Sequence, residues 1–457
     1  MSTKKQTSLL TKLFPVFGQK NVDMKTEVLA GLTTFLTMAY IIAVNPSILS
    51  EAGMDAGALV TGTCLAAAVG CFLMGFIANL PFGLASGMGL NAFFAYSVVL
   101  GYDIPWQVAL TAVFCEGIIF IILTICKVRE AVVQAIPHNM KYAVTGGIGL
   151  FIAFLGLING SIVVADESTL VALNEFALPA VICCLGVILI AALDKRGVRG
   201  SILIGIVVCS LAAWGYALIN PEAAASHGIV LPEGIIKFES VAPIAGQIDF
   251  SYLFHPEQIS NFIVIMLTFL FVDFFDTVGT LVGVCSKAGM LDKDGNVPNA
   301  SRALMADAVA TTAGACLGVS TVTTYVESST GVSVGGRTGY TAITVGVLFL
   351  IAMFFSPIFI AIPSCATAPA LIYVGYLMLS AVKNIEFDNI TEGLPAFVTI
   401  LAMPLTYSIG DGLTLGVLSY VAVNLIYNAL APAEKRKKVS IVMIILAILF
   451  ILKLIFI

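Results

Sequence analysis

The chain alternates between apolar runs of about 20 residues, each long enough for a helix to cross the hydrocarbon core of a bilayer, and short polar connections. Fourteen such runs are predicted as membrane spans. The first seven cover 26–45, 58–79, 83–100, 105–126, 140–158, 176–194 and 200–219. The second seven cover 260–285, 303–318, 322–336, 339–361, 366–382, 395–409 and 412–430. The longest polar connection, 220–258, lies between the two sets. A last apolar stretch, 439–457, follows the basic run Lys435-Arg436-Lys437-Lys438 and reads as a fifteenth span or an interfacial helix.

Two spans break the pattern. The third contains PFGLASGMGLNAFF (Pro81 to Phe94) and the tenth reads TTYVESSTGVSVGG (Thr323 to Gly336). The first is dense in Gly and small residues and the second in Ser, Thr and Gly, so both are poor helix formers. Each is third in its set, and an odd number of spans per set turns the second set upside down relative to the first. Inverted repeats with broken segments at matched positions point to a binding site at the bilayer midplane. Irregular backbone at that depth is tolerated only where protein or a water-filled cavity covers it.

Charge supports this count. With the N-terminus inside, 20 of the 22 Lys and Arg fall on the cytoplasmic side, while the connections 159–175 and 220–258 are acidic. Composition excludes a soluble domain: 59% of residues are hydrophobic, 11% are charged and mean hydropathy is +1.03. No basic patch interleaved with aromatics suggests nucleic acid. The N-terminal MSTKKQTSLLTKLFPVFGQK has no apolar core of a cleaved signal, so it is expected to be a cytoplasmic tail. The ten Cys form no CxxC pair and the three His sit in loops or at span edges, so reduced core thiols are expected, with no metal and no cofactor.

The candidate chemistry lies in the eighth span, TFLFVDFFDTVGTLVGV, and in the two broken spans. Asp273, Asp276, Thr277 and Thr280 share one helical face. A charge near the bilayer centre costs about 2.5–3.5 kcal/mol on insertion scales, and no Lys or Arg lies within a central span to pair with it. Protons or a polar solute remain as partners. Glu327 and Asn91 belong to the broken spans, with Thr323, Thr324 and Tyr325 as further candidate lining. Each has a structural alternative: a helix-bonding role for Asp276, a helix cap for Glu327, and a packing hydrogen bond for Asn91. Phe93 and Phe94 could stack on a flat ligand or simply pack. Glu116 and Asp307 are read as structural or peripheral, because regular helix surrounds them. Acceptors without a resident cation suit a neutral planar heterocycle with N–H groups better than an anion.

Five blocks, GLTTFLTMAYIIAVNPSIL, FGLASGMGLNAFFAY, TGGIGLFIAFLGL, FVDFFDTVGTLVGV and TTYVESSTGVSVGGRTG, occur in this order. Together they resemble the AzgA-like purine permeases of the nucleobase:cation symporter-2 family over about 25 to 430. The resemblance implies an all-α membrane protein of 14 spans in two inverted sevens, with paired short β-strands in the third and tenth. It implies a core domain of 26–135 and 260–362 and a gate domain of 136–220 and 363–430. These would be preceded by a tail, 1–25, divided by the external loop 221–259, and followed by the linker and tail 431–457. It implies uptake of adenine, guanine or hypoxanthine with protons across the cytoplasmic membrane, by a protein that acts as a homodimer. By the same resemblance Asp273 and Glu327 bind substrate, Asn91 is an essential polar residue and Asp276 a supporting acid; Thr324 and Phe94 complete the candidate site. Asp273, Asp276 and Glu327 are the candidate proton carriers.

Four rivals stand beside this reading. Another nucleobase, uracil or xanthine, would use the same fold. A sulfate-type anion carrier would need a positive site where Glu327 lies. An intramembrane aspartyl protease is suggested by Gly410-Asp411-Gly412 with the paired Asp of span eight, yet that pair lies on one helix and Asp411 in an expected external turn. A channel would not need inverted halves with two broken segments.

Overall fold

The computed structural model describes residues 14–19, 22–126, 137–166, 168–255, 257–287, 289–291, 297–432 and 436–456. Most of the N-terminal tail (1–13 and 20–21) and Lys435 of the basic run lie outside the described residues. What is described of the tail turns back onto the protein: Val16 is buried, and the rings of Phe14 and Phe17 lie 6.0 and 5.9 Å from that of Phe76.

Helix α1 (Met24–Met38) opens on Asp23, whose side chain accepts from the Lys25 amide. The Thr26 hydroxyl, 2.7 Å away, holds the Asp23 carboxyl below the usual carboxylate range. After a break at Ala39 and Tyr40 the chain continues as α2 (Ile41–Ser50). Asp55 caps α3 (Ala56–Leu73), its Oδ1 accepting from the Ala58 amide at 2.7 Å. A three-residue strand, β1 (Leu84–Ser86), then leads into α4 (Met88–Ala92), which runs on in wider π-helical turns to Gly101. Next come α5 (Trp106–Ile125), α6 (His138–Asn159), a hairpin of β2 (Val163–Asp166) and β3 (Leu170–Leu173), α7 (Leu178–Lys195) and α8 (Ser201–Ile219).

Beyond the long connection come α9 (Ile259–Lys287) and α10 (Ala300–Cys316), then β4 (Val322–Thr324) and the short α11 (Ser328–Val334). The chain closes with α12 (Gly339–Ala352), α13 (Ser364–Leu379), α14 (Ile390–Leu405), α15 (Ile409–Leu430) and α16 (Ile441–Phe456). Asp411 falls in the first turn of α15, its amide donating to the capping Ser408 hydroxyl at 3.1 Å, so Gly410-Asp411-Gly412 is helix rather than the expected turn.

Among the described residues nine helices are long and apolar enough to cross a membrane, and four shorter apolar helices accompany them. Helix α10 is neither, because its seventeen residues are mostly Ala, Gly and Thr. It is instead packed among α3, α5 and β4, where small side chains let the backbones approach. Helices α1, α3, α5 and α9–α12 pack chiefly on one another, and α6–α8 with α13–α15 do likewise. The α6–α13 contact is close: a Cβ at Gly149 would stand 2.7 Å from the Gly375 carbonyl oxygen.

Helix α16 settles along α15 and α9. Its buried Met443, Leu446, Ala447 and Phe450 follow helical spacing, and the opposite face carries exposed Ile441, Ile445, Ile448, Ile451 and Leu454. Among its described side chains it is therefore apolar on both sides, unlike an interfacial helix, which keeps a charged face.

Candidate functional site

The site begins with backbone. Strands β1 and β4 pair antiparallel, with Leu84 opposite Thr324, Ala85 opposite Thr323 and Ser86 opposite Val322. The ladder extends at both ends, from the Gly87 amide to Thr321 O (2.9 Å) and from the Tyr325 amide to Gly83 O (3.0 Å). A two-stranded ladder buried among helices leaves outward-facing peptide groups that need partners. Side chains supply them. Cys71 Sγ meets the amide and carbonyl of Leu84, the Thr311 hydroxyl donates to Val322 O at 2.8 Å, and the Tyr325 hydroxyl donates to Ser86 O. The Gly83 amide donates to Ser328 Oγ at 3.0 Å. Gly331 in α11 lets that helix press on α1, since a Cβ there would stand 2.5 Å from the Ala30 carbonyl oxygen.

Around this ladder the acidic side chains gather. Asp273 and Thr277 lie one turn apart on α9 and are fully buried. The Thr277 hydroxyl lies 3.4 Å from Asp273 Oδ1, 3.0 and 3.1 Å from the two carboxylate oxygens of Asp307 on α10, and 2.8 Å from the Thr323 hydroxyl on β4. One hydroxyl thus ties three elements together. Asp276, next to Thr277, interacts electrostatically with Asp307, Glu327, Tyr40 and Tyr325. Glu327 precedes α11 but makes no capping bond to it. Its Oε1 instead accepts from the Tyr40 hydroxyl at 2.6 Å, where α1 breaks before α2. The helix-cap alternative for Glu327 is thereby removed.

Asn91 joins the two broken segments. Its Oδ1 accepts from Ser86 Oγ at 2.7 Å and from Ser320 Oγ, which fixes the amide the other way round for its N–H₂ group. That nitrogen, Asn91 Nδ2, and the Thr324 hydroxyl are both buried without a hydrogen-bond partner among the described residues. Leaving such groups unmet costs about 1–3 kcal/mol each, a cost a polar ligand would remove. Phe94 is buried with its ring centroid 6.3 Å from that of Phe269 on α9, and Phe93 lies edge-on to the same ring at 4.9 Å.

Three residues belong here that sequence reasoning passed over or set aside. Asp307 touches the ladder through Thr277. Glu116, fully buried on α5, accepts from the Thr321 hydroxyl at 3.1 Å just before β4. Tyr40 holds Glu327. The available signal for Tyr40 is general: a Tyr inside an apolar span needs a partner for its hydroxyl. Among the described residues no group of three His, Cys, Asp or Glu could hold a metal ion. The arrangement offers carboxylate acceptors from three helices, two unmet donors, and no Lys or Arg in 26–126, 259–286 or 303–336.

Comparison with known proteins agrees with this chemistry. Residues 25–413 match the profile of the Permease family. The adenine permease AdeP of Escherichia coli is 42% identical over 98% of this chain and 96% of its own length. The guanine/hypoxanthine permease PbuG of Bacillus subtilis is 42% identical over 97% of this chain and 99% of its own. These relatives bear out the resemblance to AzgA-like purine permeases read from the five sequence blocks. The transmembrane domain of a cyanobacterial bicarbonate transporter, BicA, shares the fold at 14% identity, with a TM-score of 0.66, over 86% of this chain and 98% of that domain.

Proposed function

Since the chain belongs to the Permease family and is a multi-pass membrane protein, we propose that it carries purine nucleobases into the cell across the cytoplasmic membrane together with protons. The observation that carries this reading is the convergence of Asp273, Asp276, Asp307 and Glu327, from three separate segments, on the buried β1–β4 ladder. Relatives named for adenine and for guanine and hypoxanthine support the purine class.

The residues divide the work by their hydrogen-bonding capacity. Tyr40 occupies Glu327 Oε1 and leaves Oε2 to accept an N–H of the base. The Asn91 amide and the Thr324 hydroxyl donate to its ring nitrogens or carbonyl. Asp273 accepts a second N–H, steadied by Thr277. Like charges crowded in a dry site do not all ionise, so protons are their natural counter-charge in the absence of Lys and Arg. Asp273, Asp276, Asp307 and Glu327 form the set that shares the coupling proton.

Transport proceeds by alternating access. Two groups of helices that pack mainly within themselves support a core, 26–135 with 260–362, moving against a gate, 136–220 with 363–430. Fourteen spans in two inverted halves, a cytoplasmic N-terminus and a homodimer complete the proposal. An anion is the less favoured cargo: the likeness to a bicarbonate transporter concerns the fold, and carboxylates crowd the place where an anion would sit.

The test is uptake of labelled adenine, guanine, hypoxanthine, xanthine and uracil by purified protein in liposomes. Saturable uptake of one or more of the first three, lost when the proton gradient is dissipated, is the expected result. Preference for uracil or xanthine would overturn the purine reading, and indifference to the gradient would overturn the proton.

A further inference from the structure

Helix α16 does not close flush against its neighbours. Between it and the bundle lies a cleft of about 150 Å³, walled by Phe120 and Leu123 of α5, Leu270 and Phe274 of α9, and Ile445 and Leu446 of α16. Helices α5 and α9 are long and apolar enough to cross a membrane and α16 is a shorter apolar helix beside them, so the cleft faces hydrocarbon where α5 and α9 span. Its walls are apolar, while the chain just before α16 is basic. Arg436 and Lys438 are exposed there, on the non-helical chain six and four residues before Val442, the first residue of α16 to line the cleft. Between them Lys437 is anchored: its ammonium donates to Asn389 Oδ1 (3.0 Å) and to the Thr391 hydroxyl (2.7 Å) at the start of α14. The backbone of Lys437 is also held, by both ends of the Asn428 side-chain amide. The anchor at Lys437 therefore holds the chain between Arg436 and Lys438 just before the helix that forms one wall of the apolar slot.

We propose that this cleft is the seat of an anionic phospholipid, one acyl chain lying between α16 and α9 and the phosphate facing Arg436 and Lys438. The complementarity is twofold. An acyl chain fills a space that presents no polar group, and two lysine or arginine charges near the headgroup select an anionic lipid over a zwitterionic one. Phe274, which lines the slot, is next in sequence to Asp273, and its ring lies 6.3 Å from that of Phe120. A seated chain therefore touches the helix that carries the acidic site and, through α16, the helix α15 beside it.

The experiment is lipid retention. Purified protein is exchanged into an equal mixture of phosphatidylglycerol and phosphatidylcholine, stripped with mild detergent, and the lipid still bound is counted by native mass spectrometry. Wild type is expected to keep phosphatidylglycerol over phosphatidylcholine by about 30-fold, the preference that two cations confer. The double variant Arg436→Gln/Lys438→Gln, at exposed positions, should lose the preference. Ile445→Trp, which projects an indole into the slot from a half-exposed position, should lose the bound lipid. Equal retention of the two lipids by wild type, or an unchanged preference in the charge variant, overturns the proposal. Lipid retained by folded Ile445→Trp overturns the cleft as its seat. The charge variant decides the question alone if Ile445→Trp does not fold.

Discussion

Tyr40→Phe removes a single oxygen atom from the candidate site. Tyr40 is fully buried and its hydroxyl donates to Glu327 Oε1 at 2.6 Å. Phe keeps the ring and its packing, so the loss falls on Glu327, which has no capping bond to fall back on. A hydrogen bond to a charged group contributes about 1.5–3 kcal/mol, and each 1.4 kcal/mol is a factor of about ten. Uptake efficiency at low concentrations of labelled adenine or hypoxanthine should therefore fall by about 10- to 100-fold. The amount of protein in the membrane and its Tm in detergent should stay close to wild type. The assay is initial-rate uptake in cells lacking other purine permeases, normalised to surface protein. Uptake within about twofold of wild type would refute the claim that Tyr40 tunes a substrate-binding Glu327, because even the low end of the range predicts a larger loss.

Other variants test neighbouring parts of the site. Asp273→Asn and Glu327→Gln should each abolish uptake of labelled purines while leaving the protein in the membrane, and full activity in either removes that residue from the mechanism. Thr277→Val takes away the hydroxyl shared by Asp273, Asp307 and Thr323 and should lower uptake by about tenfold or more, whereas Thr277→Ser should restore most of it; equal activity of the two would show the hydroxyl to be idle. Gly331→Ala drives a methyl group against the Ala30 carbonyl and should cost about 1–3 kcal/mol, read as a lower Tm, and an unchanged Tm would show that α11 and α1 separate freely.

Which parts of this were legible in the sequence follows from what periodicity can carry. Apolar runs mark α5, α6 and α8 to within a few residues, because a membrane helix is specified by length and hydropathy alone. The two interrupted spans are legible for the opposite reason: PFGLASGMGLNAFF and TTYVESSTGVSVGG cannot make good helix, and they hold β1 and β4. Asp273 and Thr277 share a face by simple spacing. Asp307 and Glu116 were not legible as neighbours of the break. Nothing around them is irregular in sequence, and only the packing of α10 and α5 brings them to Thr277 and Thr321. Tyr40 is a contact of sequence separation 287, beyond the reach of any local pattern. The start of α14 is also displaced. The expected span began at 395, but the helix begins at Ile390 and accommodates Pro395 inside its second turn.

The central claim is that side chains from separated segments close around one uncharged base. A cryo-EM map of the protein with bound hypoxanthine or adenine tests it most directly. The base should lie against the β1–β4 ladder, within hydrogen-bonding distance of Asp273 and of Glu327, with the Asn91 amide or the Thr324 hydroxyl on its other edge. Density for the base away from the ladder, or touching neither carboxylate, would contradict the account.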